Sequence, residues 1–129
     1  ILATGNSLDL FGKTIIADKE YPALNILDYT IKQDKRIISE VYLNSNVSNK
    51  IIGFKNTNSY IDKIEYPLFE SDSFKYHNLY ATYVLGPILV RNPDFFKYFI
   101  TKLIAKKLKL DLKLETKAYK TFIANFKQE

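Results

Sequence analysis

The sequence contains no cysteine and only one histidine, His77. Without a thiol the chain can form no disulfide, no thiolate metal site and no cysteine nucleophile. With a single histidine, a metal site would have to rest on carboxylates, and their spacing suggests no cluster. We therefore expect neither a metal nor any other cofactor.

Long apolar runs are missing as well. The longest apolar stretches are interrupted by charge and fall well short of the ~20 residues that a membrane span needs. The first residues show no signal-peptide pattern, so we expect a cytoplasmic protein without a membrane partner. The 129 residues are 47% hydrophobic and 26% charged, which is typical of one globular domain. Because Ile1-Leu2-Ala3 resembles the end of a buried strand, we expect further strands of the same domain to precede it.

The net charge of +5 is concentrated in the last part of the chain. Residues 94 to 129 contain nine lysines and four acidic residues, an excess equal to the whole net charge. A basic segment of this kind can attract nucleic acid or an anionic membrane. The sequence alone favours the simpler interpretation, a solvated face of C-terminal helices, and it disfavours nucleic acid as a partner.

The middle of the chain predicts β-structure. Segments rich in β-branched and aromatic residues alternate with turn clusters, which predicts an antiparallel excursion over residues 24 to 66. The predicted strands cover residues 1–4, 14–17, 24–31, 36–43, 50–56 and 79–85. The last of these is a nearly continuous apolar run, as expected for a central buried strand.

Three helices are predicted. Ser7 can cap a short helix over residues 8–11 that Gly12 ends. Asn92-Pro93-Asp94 is a helix start with a capping residue, a proline and an acid in the first turn. Its expected apolar face consists of Phe96, Phe99, Ile100, Leu103 and Ile104. Residues 108–114 alternate leucine with charge, which predicts a short strand or an extended linker.

The third helix is amphipathic and covers residues 115–126. Its expected inward side chains are Tyr119, Phe122, Ile123 and Phe126.

Two segments have the pattern of a catalytic site. From Ala3 to Gly12 a strand runs through a sharp turn into a helix, which is the geometry of a nucleophile elbow: it exposes one side chain where helix amides stabilise negative charge. The later strand ends in Gly86-Pro87, so it can present a base at its C-terminal edge, beside the elbow.

Together these segments resemble class I glutamine amidotransferases, in the branch similar to cobyric acid synthase and to the glutaminase subunit of the lipid II amidating complex. There the elbow reads roughly Cys-Gly-Gly-Tyr-Gln-Leu-Leu-Gly and the later strand reads Gly-Thr-Tyr-Leu-His-Gly-Pro-Leu-Leu-Xaa-Xaa-Asn-Pro. The second pattern is close to residues 81–93. Residues 24–28 (Leu-Asn-Ile-Leu-Asp) resemble the family's Leu-Gly-Leu-Leu-Asp, and residues 52–56 (Ile-Gly-Phe-Lys-Asn) resemble its Val-Gly-Phe-Glu-Asn.

The resemblance covers residues 1 to 105 of a single domain and leaves residues 106 to 129 as a basic C-terminal extension. It implies an α/β fold, the three-layer, flavodoxin-like class I amidotransferase fold, with a mostly parallel sheet and helices on both faces. This chain would form the C-terminal portion of that fold. We expect the first strand beside residues 79–85, with Gly5 and Leu85 close together at one sheet edge.

The departures from the family pattern concern its catalytic residues. The nucleophilic cysteine falls on Gly5 and the catalytic histidine on Leu85, and neither can attack a carboxamide or transfer a proton. The hydroxyls of Thr4 and Ser7 are near the nucleophile position, but they would still need a base. His77 precedes the strand, where we expect a surface or hydrogen-bonding role rather than a displaced catalytic one.

Other positions of the elbow and pocket have two interpretations each. Asp9 occupies the place of a pocket-shaping glutamine and could bind a cationic group, but a polar residue on a short helix is the simpler interpretation. Asn6 and Ser7 could hold an anion, although capping explains both. Tyr83 could line the pocket or be a buried strand aromatic. We expect Asn92 to cap its helix.

Three functions follow from these patterns. The favoured one is an amidotransferase-like module without glutaminase activity, which binds a small molecule or docks on a synthetase- or ligase-like subunit or fused domain. The alternative is an active amidotransferase, transferring amide nitrogen from glutamine in cofactor or cell-wall precursor synthesis and completed by a preceding portion or a partner chain. The weakest is a basic nucleic-acid-binding domain.

Overall fold

The computed structural model describes residues 1–106 and 108–126. Lys107, Lys127 and Glu129 of the basic segment lie outside the described residues. The strands are β1 (Leu2–Thr4), β2 (Thr14–Ile16), β3 (Glu20–Pro22), β4 (Thr30–Leu43), β5 (Ile51–Ile61), β6 (Ser73–Tyr76), β7 (Leu79–Thr82) and β8 (Val84–Leu85). The helices are a 3-10 helix (Gly5–Phe11), α1 (Ile88–Arg91), α2 (Pro93–Ile104) and α3 (Lys113–Phe126).

The strands form two sheets. The first has the order β1-β7-β6, with β1 parallel to β7 and β6 antiparallel to it. The second has the order β3-β2-β4-β5-β8, in which only β2 and β4 are parallel. The fold is therefore a mixed α/β fold with two sheets, and the expectation of a mostly parallel sheet is wrong for the described residues.

The long β4–β5 hairpin confirms the antiparallel excursion. It pairs Leu43 with Ile51 at one end and Ile31 with Ile61 at the other. The strand predicted over residues 24–31 is wrong, since β4 begins only at residue 30 and the preceding segment is irregular. The backbone N–H groups of that segment bond to carbonyls at the end of the 3-10 helix instead, for example Leu27 to Phe11 at 2.9 Å.

The single strand predicted over residues 79–85 is divided between the two sheets. The break falls at Tyr83, whose backbone N–H donates to the carbonyl of Asp72 at 2.8 Å. After it, β8 joins β5, with Leu85 opposite Phe54. An unbroken apolar run cannot reveal this break, because every residue in it is suited to burial in either sheet.

The core forms on both faces of β7. Tyr80 packs in one cluster against Phe95 and Phe99 of α2. Leu79 and Ala81, on the opposite face, belong to a second cluster with Ala3, Leu8, Phe74 and Tyr83. Alternate side chains of a strand point to opposite faces, so burial on both sides explains why residues 79–85 are almost continuously apolar.

The helix starts differ from the capping pattern. The 3-10 helix begins at Gly5, and Ser7 inside it donates through Oγ to the carbonyl of Thr4 at 2.7 Å. α2 begins at Pro93 as predicted, but the Asn92 side chain does not cap it. Asn92 is buried, and its amide exchanges two hydrogen bonds of 2.8 Å with the backbone of Ile52. It anchors β5 to the helix start.

The apolar face of α2 is shifted from the predicted one. Its buried residues are Pro93, Phe95 and Phe99, whereas Leu103 is 63% exposed. α3 begins two residues earlier than predicted, and residues 108–112 form the linker rather than a strand. The four side chains of α3 that were predicted to face inward are half-buried. The Tyr119 hydroxyl donates to the carbonyl of Lys50 at 2.6 Å. None of the helices in the described ranges is long and apolar enough to cross a membrane.

Candidate functional site

The turn from β1 into the 3-10 helix is built around Gly5. Its φ of +61° lies in the left-handed region, where any other residue costs about 1–2 kcal/mol. A Cβ placed on Gly5 would lie 2.9 Å from Cδ2 of Leu85. The structure thus confirms that β1 lies beside β7 and that Gly5 and Leu85 are neighbours.

Leu85 reaches this place because β8 approaches β5 very closely. The approach occurs at Gly53, where a Cβ would lie 2.2 Å from Cγ1 of Val84 and 3.2 Å from the carbonyl oxygen of Leu85. Only a residue without a side chain leaves room for that crossing. The glycine of the segment over residues 52–56 therefore positions the half-buried Leu85 against the elbow.

Replacing Gly53 by alanine is expected to displace β8 and lower the free energy of unfolding by about 2–3 kcal/mol, since the clash involves a buried side chain. Urea denaturation measures this change. Gly86→Ala is the matched control: its φ is +66°, but the added Cβ would meet its nearest neighbour at 3.6 Å. It should cost only the backbone strain, about 1–2 kcal/mol. Equal losses in both variants would contradict the assigned role of Gly53.

The hydroxyls near the elbow have no base beside them. The Ser7 hydroxyl is engaged with the Thr4 carbonyl, and the only histidine is exposed in the two-residue turn between β6 and β7. Thr4 pairs with Thr82 at the far end of β7, about 10 Å along the strand from that turn. The surface role predicted for His77 is confirmed, and the elbow contains neither a thiol nor an imidazole.

Asp9 is the buried polar centre of this region. It is only 4% exposed. Its Oδ2 accepts a hydrogen bond from the Ser59 hydroxyl at 2.6 Å, and its Oδ1 accepts one from the Tyr83 hydroxyl at 2.7 Å. Burial and then the bond to Asp9 raise the pKa of Tyr83 well above its ordinary value. Each carboxylate oxygen thus accepts a bond from a buried hydroxyl, so Asp9 anchors the 3-10 helix to β5.

Tyr83 is almost fully buried, which agrees with its interpretation as a buried aromatic residue rather than a pocket-lining one. It contacts the elbow through Asp9 and does not face solvent. Behind it, the Lys55 ammonium pairs with the Asp72 carboxylate at 2.6 Å in a largely buried position. Because the Asp72 carbonyl also binds the Tyr83 N–H, this ion pair holds the break between β7 and β8 in place.

A polar cleft of about 460 Å³ lies on one side of the elbow. It is lined by Asn6, Asp34, Arg36, Asn56, Thr57 and Asn58. The Thr57 hydroxyl donates to Oδ1 of Asn6 at 2.9 Å, and the Arg36 Nε donates to Oδ1 of Asn56 at 2.7 Å. Of these residues the sequence singled out only Asn6 as a ligand candidate. The alternation of Asn56 and Asn58 along β5 was the available signal, because such spacing places both side chains on one face.

An apolar cleft of about 360 Å³ lies on the other side. It is formed by Leu2 and Thr4 of β1, by Leu85, and by the segment from Gly86 to Val90. The elbow therefore separates a carboxamide-rich cleft from an apolar one. This arrangement can bind a ligand or a partner. No protein-family model matches this chain, and no curated protein matches it.

Proposed function

We propose that this chain is a class I glutamine amidotransferase-like domain, the C-terminal portion of the flavodoxin-like three-layer fold, that has lost glutaminase chemistry and acts as a binding module. The observation that carries the proposal is the contact between Gly5 and Leu85, 2.9 Å from an ideal Cβ to Cδ2. These are the two positions at which the resemblance calls for a cysteine and a histidine. Hydrolysis of glutamine requires a nucleophile and a proton-transfer group there, and this chain has neither.

The binding role is supported by what surrounds the two positions. Thr4 and Asn6, on either side of Gly5, line the apolar cleft and the polar cleft respectively. The carboxamide oxygens of Asn6, Asn56 and Asn58 in the polar cleft already accept bonds from neighbouring side chains. Their amide groups can donate to the carbonyl oxygen of a glutamine carboxamide. We infer that the ligand is glutamine or a related amide, bound without turnover.

Two measurements test this function. Incubation of the chain with L-glutamine should release no ammonia above the protein-free rate. Titration of the isotope-labelled chain with millimolar L-glutamine should shift amide NMR signals of Gly5, Asn6 and residues 56–58. The matched variant Asn6→Ala removes the acceptor of the buried Thr57 hydroxyl, and it should weaken these shifts. Urea denaturation shows whether this variant remains folded.

The outcomes separate the two parts of the proposal. Ammonia release that scales with protein concentration would overturn the loss of catalysis and favour an active amidotransferase. Absence of any signal shift at the elbow would overturn the binding of a small amide. Shifts confined to residues outside the elbow and the two clefts would also contradict it.

A further inference from the structure

Four lysines converge on a groove between α2 and α3, away from the elbow. Lys97 comes from α2, and Lys113, Lys117 and Lys120 come from α3. Together with the two threonines Thr116 and Thr121 they line a volume of about 480 Å³, which we term the lysine groove. The sequence alone favoured an ordinary solvated face, because it could not show that lysines from two helices meet.

The three lysines of α3 form one stripe. Spacings of four and three residues place side chains on the same helix face, and like charges at such spacings repel each other. Lys113 also begins the helix, where the macrodipole disfavours a cation, and the last turn contains no basic residue among those described. The stability of the helix therefore does not account for the position of these charges.

The acidic residues nearby do not neutralise the groove. Asp94 and Asp111 lie 3.7 Å and 3.8 Å from Lys97 and Lys113, in exposed pairs. Glu115 is about 200° around the helix from Lys113, on the side of the inward-facing aromatic residues. Within residues 1–106 and 108–126 no carboxylate lies within ion-pair distance of Lys117 or Lys120.

We propose that the lysine groove binds the phosphodiester backbone of a nucleic acid, without reading its sequence. Lysine ammonium groups act as point charges on flexible stems that suit phosphates, and threonine hydroxyls are common donors to phosphate oxygens. None of the described residues that line the groove is aromatic, so they offer bases no stacking platform. An anionic membrane is the poorer match, because membrane-surface helices insert an apolar face and this lining contains only Leu112 as an apolar residue.

The test is fluorescence anisotropy with short labelled single-stranded and duplex DNA of mixed sequence, at salt concentrations between about 50 and 200 mM. The intact chain should bind both, with affinity falling as salt rises. The variant Lys113→Gln/Lys117→Gln/Lys120→Gln should bind about tenfold more weakly, and its log-log salt slope should fall by roughly 2–3. The control Lys19→Gln/Lys35→Gln/Lys63→Gln removes the same charge from lysines outside the groove and should change affinity less than twofold.

Three results would overturn this proposal. One is the absence of salt-sensitive binding by the intact chain. Another is an equal loss in the groove variant and the control, which would attribute binding to net charge. The third is stronger binding to vesicles of anionic phospholipid than to DNA, lost in the groove variant, which would assign the groove to a membrane surface. Urea denaturation of both variants shows whether they fold. The DNA-binding measurements do not depend on the proposed amide site.

Discussion

Replacing Asp9 by alanine is expected to lower the free energy of unfolding by about 4 kcal/mol. The substitution removes the common acceptor of two hydroxyls, those of Ser59 and Tyr83, whose residues are 2% and 1% exposed. A hydrogen bond to a charged group contributes about 1.5–3 kcal/mol, and a buried donor left unpaired costs about 1–3 kcal/mol. Since domains are stable by only about 5–15 kcal/mol, urea denaturation should show a large fall in the midpoint.

Two variants control for this result. Asp9→Asn keeps a side chain of the same shape that can accept from Tyr83 and donate to Ser59, so it should cost only about 1–2 kcal/mol. Asp18→Ala removes an exposed carboxylate that accepts a hydrogen bond from Tyr21 at 2.9 Å, and it should cost less than about 0.5 kcal/mol. A loss at Asp9→Ala no larger than that at Asp18→Ala would refute the anchoring role.

Introducing a cysteine at position 5 and a histidine at position 85 is expected to create a reactive thiol. In Gly5→Cys/Leu85→His the new imidazole would stand beside the new thiol, because the two positions are in contact. An imidazolium neighbour should lower the thiol pKa by about two units from its usual value near 8.5. The thiolate fraction at about pH 6 should then rise roughly 75-fold relative to an unperturbed thiol. The pH profile of iodoacetamide alkylation measures this shift.

The sequence makes the measurement specific, since it contains no cysteine and all alkylation reports position 5. Gly5→Cys/Leu85→Gln is the matched control, with a side chain of similar size that cannot become charged. Both variants bear the same backbone strain at φ +61°, so their denaturation midpoints should agree closely. Identical alkylation profiles in the two variants would show that the positions do not interact as proposed.

Local signals predicted the parts of the fold that depend on a few neighbouring residues. The proline at the start of α2, the turn at Gly5 and the amphipathic face of α3 were all recognised, because capping, turn and periodicity rules act within one or two turns of chain. The strand over residues 24–31 failed for a tertiary reason: its backbone bonds to the end of the 3-10 helix instead of a neighbouring strand.

In the candidate site too, some residues could be predicted from the sequence and others depend on tertiary packing. Gly5 and Leu85 were paired through the motif resemblance, and their contact is present. Arg36, Thr57 and Asn58 of the polar cleft were missed, since nothing in their local sequence shows that the elbow lies beside them. Asn92 was expected to cap α2, yet its side chain bonds to β5, forty residues earlier in the chain.

By itself the sequence determined which chemistry this protein lacks. Since the chain contains no cysteine, it cannot itself supply a cysteine nucleophile however it folds. Only the tertiary structure decided where the buried groups and the charges meet. It joined Asp9 to Ser59 and Tyr83 across 50 and 74 residues, divided one apolar run between two sheets, and brought lysines of two helices into one groove. The physical reason is that these arrangements depend on long-range packing, which local patterns do not specify.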